Sequence, residues 1–190
     1  MNFPKEIEKQ LRDDSRQLFE EAVEFNEKLV SLTWKSGKHH YHATLWAYMM
    51  AAFSHVDLYS KLWDGGRETK QTPRMRKFLD CYMPRGRYTH DLAIQLWRHT
   101  LMHTSRPRRL KEEKTGVVYR YLLHWGSPQL PLEQHYTIGK QNIFNIGLIY
   151  LLQDFDMALS DYLSEARLSE QLISNVHEVW PRITVQTLKL

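Results

Sequence analysis

Residues Leu45–Phe53 read LWAYMMAAF, and this stretch decides the fold. Its apolar side chains cover most of the circumference of a helix, and a helix that is apolar all round belongs in the centre of a protein. The nearly uninterrupted apolar run starts at Ala43 and falls short of the roughly 18 to 20 residues that cross a bilayer. We therefore predict a buried core helix that begins between His40 and Ala43, runs to Trp63 and ends at Gly65-Gly66.

Amphipathic segments flank this core helix on both sides. Thr72 followed by Pro73 has the pattern of an N-cap and a first helical residue, and predicts a short helix through about Met83. A further helix is expected from Thr89 to Thr104. Ahead of the core helix, Lys5 to Lys35 form one long predicted helix, because apolar residues recur there three, four or seven positions apart: Ile7, Leu11, Leu18, Ala22, Phe25 and Leu29.

The C-terminal half has one segment of strand-like composition and two helical patterns. Residues Val117 to Trp125 and Gln134 to Ile138 are rich in β-branched and aromatic side chains, which permits a small hairpin between them. Apolar residues at helical spacing predict a long helix from about Gln141 to Leu163. A shorter helix is expected from Ser169 to Val179, ending ahead of Pro181.

These elements predict an all-α protein, a single-domain helical bundle that covers residues 1–190. It has two long N-terminal helices, two short central ones, at most a small hairpin, and a long C-terminal helix. Apolar residues make up 42% of the chain and charged residues 25%, which is ordinary for a globular domain. Because Cys81 is the only cysteine and the N-terminus is charged, we expect a protein of a reducing compartment, with a cytoplasmic location and no membrane segment.

The most specific pattern in the chain lies in Leu96–Arg108, which reads LWRHTLMHTSRPR. Here an arginine, Arg98, is followed directly by a polar residue, His99, and by a second histidine, His103, near the expected end of a helix. This pattern resembles the motif of the HEPN superfamily. The layout is also similar, since HEPN domains are helical bundles with long first and last helices and carry their motif on an inner helix.

The resemblance implies a metal-independent RNA endoribonuclease that acts as a homodimer, in a toxin or phage-defence setting. His103 titrates near neutral pH and is suited to take the proton of a ribose 2′-hydroxyl or to protonate the leaving 5′-oxygen. Arg98 presents a planar, permanently charged fork to phosphate, and His99 would assist. By the same resemblance, His55 or Asp57 on the core helix would support the site.

The expected partners are RNA and a second copy of the chain. The net charge is +4 and the isoelectric point is near 9.1, which favours an anionic partner. Three arginines directly after the motif, Arg106, Arg108 and Arg109, are the predicted RNA-binding residues. No feature indicates a DNA specificity, and the protein partner is unknown.

Two alternatives stay open. The first is a non-catalytic HEPN-like module that binds a protein partner, a nucleotide or RNA, in which Arg98 is a buried structural residue and His103 caps a helix. The second is a metal pair, because His99 and His103 stand four residues apart. No glutamate follows His99 as in zinc proteases, and the cluster at His39–His42 is typical of a solvated turn, so we expect no metal and no cofactor.

Overall fold

The structure is a computed structural model that describes residues 2–31, 42–83, 94, 109–111, 116–126, 133–138 and 141–184. In these residues the chain forms five helices, and the predicted helical bundle is confirmed. The predicted helix from Thr89 to Thr104 lies outside the described residues except for Ile94. The helices are α1 (Lys5–Ser31), α2 (His42–Asp64), α3 (Gln71–Tyr82), α4 (Leu148–Ala166) and α5 (Glu170–Thr184).

Helix α2 is the centre of the bundle, as its composition predicts. It packs against α1, α3, α4 and α5. Met49 and Leu62 are fully buried, and Leu45 and Phe53 are nearly so. One cluster of buried side chains draws on all five helices and also includes Leu123 from the strand region. Among the described helices, none combines the length and the apolar character that spanning a bilayer would require.

One predicted boundary was wrong in each of two helices, the start of α3 and the end of α5. Helix α3 begins at Gln71 after an extended residue, Lys70, so Thr72 is not its N-cap. Pro73 fits there because the first turn of a helix has no partners for its N–H groups. Helix α5 does begin after Ser169, whose Oγ accepts a hydrogen bond from the N–H of Leu172 at 3.3 Å. It then continues through Pro181 to its end, since the residues around this proline pack on the core.

Four strands form a mixed sheet attached to the bundle. They are β1 (Leu110–Lys111), β2 (Val118–His124), β3 (Glu133–Ile138) and β4 (Gln141–Gly147), in the spatial order β1-β2-β4-β3. Strand β2 runs parallel to β4 and antiparallel to β1, while β3 pairs with β4 antiparallel. The sheet is thus larger than the small hairpin that the sequence permits.

This topology corrects two details of the sequence interpretation. The hairpin joins β3 to β4, and not the segment 117–125 to the segment 134–138. Residues 141–147, predicted as the start of a long helix, form the central strand β4, because pairing on both edges satisfies its backbone groups. The helix starts only after Gly147, where the N–H of Ile149 donates to the carbonyl of Trp125 at 2.8 Å.

Candidate functional site

All residues of the predicted catalytic motif lie outside the described part of the chain. This applies to Arg98, His99 and His103, and also to the RNA-binding candidates Arg106 and Arg108. Ile94, four residues before Arg98, is fully buried in the hydrophobic core.

Arg109, the described member of the predicted RNA-binding group, lies at one edge of the sheet. It is exposed and directly precedes the edge strand β1. Leu110 pairs with Tyr119, so the same register places Arg109 opposite Arg120, which is also exposed. With exposed Lys111 these residues form a basic patch, the sheet-edge cations, and no carboxylate of the described residues forms an ion pair with them. Such a patch can bind a phosphate backbone.

His55, one of the two predicted supporting residues, lies on α2 where this helix faces α1. Its ring is partly buried, with its centroid 6.1 Å from that of Tyr59. Burial lowers the pKa of His55, and the carboxylate of Asp14 on α1 partly opposes this effect. Burial thus favours the neutral imidazole, which can donate one hydrogen bond and accept another.

Asp57, the other supporting candidate, joins α2 to α3. One carboxylate oxygen accepts a hydrogen bond from Nη2 of Arg74 at 2.7 Å, and the other lies 3.2 Å from Nζ of Lys61. Arg74 is almost fully buried and also donates to Ser60 Oγ at 3.2 Å and to the carbonyl of Glu68 at 2.8 Å. Asp57 therefore neutralises a buried cation, and this structural task explains its place on α2.

His124 is a partly buried residue that the sequence interpretation passed over. It ends β2 opposite Gly147, and both of its ring nitrogens are buried with no hydrogen-bond partner among the described residues. Burial lowers its pKa. A Cβ at Gly147 would lie 3.2 Å from the ring, which shows how closely the imidazole approaches the start of α4. A lone histidine in a strand-like stretch gives no sequence signal for this placement.

A groove of about 1080 Å³ runs between α1 and α4. Cations of α1 line one side of it, and Gln153, Asp156 and Met157 of α4 line the other. Its charges are mixed, because Glu8 lies in the same groove and binds both Arg12 and Arg167. Hydrogen bonds from these arginines, that of Arg167 first, lower the pKa of Glu8 against the opposing effect of burial. The groove therefore offers both signs of charge to a partner.

The described residues define a class of protein: a helical bundle with a mixed sheet, basic along one sheet edge and grooved between its first and fourth helices. Comparison with protein-family models, with curated proteins and with solved structures finds no match to this chain. In the described residues, no three or more histidine, cysteine, aspartate or glutamate side chains are grouped to hold a metal ion. The His99–His103 pair lies outside them, as do His39 and His40 of the N-terminal histidine cluster.

Proposed function

We propose that this protein is a HEPN-type, metal-independent RNA endoribonuclease that acts as a homodimer. The observation that carries the proposal is the motif of Arg98, His99 and His103 with basic residues directly after it. The helical bundle is compatible with the layout of a HEPN domain. The sheet-edge cations add positive charge close to the end of the motif segment, where an RNA backbone would be held.

The proposed reaction is an internal transesterification of RNA. His103 takes the proton of a ribose 2′-hydroxyl, and the 2′-oxygen attacks the adjacent phosphorus. The bond from phosphorus to the 5′-oxygen breaks, and that oxygen leaves with a proton from a histidine, His99 or His103 of either subunit. Arg98 stabilises the charge that builds on the phosphoryl oxygens. The products are a 2′,3′-cyclic phosphate and a 5′-hydroxyl end, and no step uses a metal ion.

Cleavage of total RNA in the presence of EDTA tests this proposal. We expect fragments with 5′-hydroxyl ends, which polynucleotide kinase labels without prior dephosphorylation. His103→Ala and Arg98→Ala should each lower the rate about 100-fold or more. His177→Ala and Arg182→Ala, at exposed positions of α5, are the matched controls and should cleave at the wild-type rate. Wild-type rates in His103→Ala would refute the assignment.

The second candidate is a non-catalytic module that binds RNA or another partner without cutting it. The position of Asp57 favours it, because this carboxylate is bound by Arg74 and Lys61 and so is already used within the bundle. For RNA, affinity should fall with added salt, and Arg109→Ala should reduce the salt slope by about one counterion. RNA affinity that does not change with salt would argue against phosphate contacts.

A further inference from the structure

One face of α1 carries cations in its first half and carboxylates in its second half. The cations are spaced four, three and four residues apart. At about 100° per residue, the whole set falls within an arc of about 100° on the side away from the core. We call this set the α1 stripe: Lys5, Lys9, Arg12, Arg16, Phe19, Glu20, Val23 and Glu27.

The α1 stripe borders the groove between α1 and α4. Its cations and Phe19 line the groove, and across from them lies Met157, a large apolar side chain that is 53% exposed. A half-exposed methionine that shares a groove with a partly buried phenylalanine is apolar surface that another chain can cover. The stripe therefore combines charges with an apolar contact.

Several charges of the stripe have no partner within the described bundle. Arg12 binds Glu8, and Arg16 binds Asp13 at 2.7 Å. Among the described residues, by contrast, no ion pair involves Lys9, Glu20 or Glu27, and all three side chains are exposed. These groups are free to pair with another molecule.

We propose that the α1 stripe is a homodimer interface, in which α1 packs antiparallel against α1 of a second copy. In a twofold antiparallel pair, positions whose numbers add to a constant face each other. With the axis near residue 18, Lys9 faces Glu27 of the partner subunit and Arg16 faces Glu20 of the partner subunit. Symmetry repeats each pair. A parallel arrangement would instead set cations against cations.

Charge selects this occupant over a polyanion. The groove contains the carboxylates of Glu8, Asp13 and Asp156 between its cations, and these would repel a chain of phosphates. A second α1 carries both signs in the complementary order. From Lys9 to Glu27 the seam is about 27 Å long, at 1.5 Å per residue. The interface would supply the homodimer that the proposed ribonuclease needs; in that sense it rests on the proposed function.

Charge swaps on the full chain, followed by sedimentation equilibrium, test the interface. In about 0.1 M salt the wild type should have twice the 22.8 kDa mass of the chain, and it should dissociate towards about 1 M salt. Lys9→Glu and Glu27→Lys each place like charges opposite each other, and each should weaken the dimer about tenfold or more. Combining both substitutions in one chain should restore the dimer, as should mixing the two single variants.

Arg182→Glu is the matched control, because it makes the same reversal at an exposed position of α5. It should leave the dimer unchanged, and circular dichroism checks that every variant is folded. A monomeric wild type at about 100 µM would overturn the interface. So would a dimer that Lys9→Glu does not weaken, or a double swap that fails to restore it. A monomer whose RNA affinity drops in Lys9→Glu would assign the stripe to RNA instead.

Cleavage is measured separately on the same samples, so the two proposals fail independently. A wild-type dimer that responds to the swaps but leaves RNA intact would support the interface and overturn the ribonuclease. Cleavage that is lost in Lys9→Glu and returns in the double swap would support both.

Discussion

At the residue scale, the backbone packs tightly against a side chain where α2 ends. Gly65 has a φ of +71°, and a Cβ there would lie 2.6 Å from Oδ1 of Asn175. Asn175 is buried on α5 and donates a hydrogen bond from Nδ2 to the carbonyl of Trp63 at 2.6 Å. Nε2 of Gln171 donates a hydrogen bond to Oδ1 of the same Asn175 amide at 2.9 Å. The side chain that satisfies the end of α2 thus leaves no room for a Cβ at position 65 unless Asn175 shifts.

Gly65→Ala is therefore expected to destabilise the protein by about 2 to 4 kcal/mol in urea unfolding. About 1 to 2 kcal/mol comes from the left-handed backbone, and the rest from displacing Asn175. Gly66→Ala is the matched control. Its φ is +72°, but the nearest atom to a Cβ there is 3.8 Å away, on Val179. Gly66→Ala should lower the free energy of unfolding only by the part that comes from the left-handed backbone. Equal losses of stability in the two variants would contradict the role of Asn175.

At the scale of the element, a buried guanidinium, that of Arg74, adds polar contacts to the apolar packing of α3 on α2. Arg74 reaches Asp57, Ser60 and the carbonyl of Glu68, so each of its three guanidinium nitrogens donates a hydrogen bond. We expect Arg74→Ala to cost about 3 kcal/mol, because it leaves the Asp57 carboxylate without its buried partner. Urea unfolding followed by circular dichroism measures the loss.

Arg76 provides the comparison on the same helix. Its side chain is 54% exposed and its Nε lies 3.6 Å from the carboxylate of Asp80. Arg76→Ala should change stability by no more than about 1 kcal/mol. If both arginine variants lost the same free energy, burial of Arg74 would not be what joins α3 to α2.

The sequence predicted elements well where the spacing of apolar residues agrees with the glycines that end a helix. The bounds of α2 followed from its apolar run and from Gly65-Gly66. Strand β4 was misread because Ile143 and Ile146 are spaced as on a helix, while pairing with β2 and β3 decides the structure there. The parallel pairing with β2 joins distant residues such as Tyr119 and Asn142, and no local pattern records it.

In the candidate site, too, long-range contacts could not be predicted from the sequence. His55 and Asp57 were named through the resemblance to HEPN domains, but the use of Asp57 depends on Arg74, 17 residues away. The hydrogen bond from Asn175 to Trp63 spans 112 residues and was not predictable. Whether Arg98 and His103 act in catalysis stays a prediction of the motif.

At the scale of the whole molecule, two partly buried histidines link the stability of the fold to pH. Burial lowers the pKa of both His55 and His124 below the ordinary value of 6.5. The unfolded chain therefore binds protons in a range where the folded chain does not. The free energy of unfolding therefore decreases as the pH falls through 6.5. The contribution of these two histidines levels off once the pH is below their pKa values in the folded state. The lowered pKa of Glu8 acts in a separate, more acidic window, below 4.5.

Urea unfolding between about pH 7.5 and pH 5.5 measures this linkage, which cannot exceed about 1.4 kcal/mol per pH unit for each proton. His55→Gln and His124→Gln should each make the fall in stability shallower than in the wild type. The two effects should add, because His55 lies beside Asp14 of α1 whereas His124 lies beside Gly147 at the start of α4. His177→Gln, at an exposed position of α5, is the control and should keep the wild-type slope. If the double variant still lost stability as steeply as the wild type, other groups would carry the pH dependence, and burial of these two imidazoles would have little influence on folding.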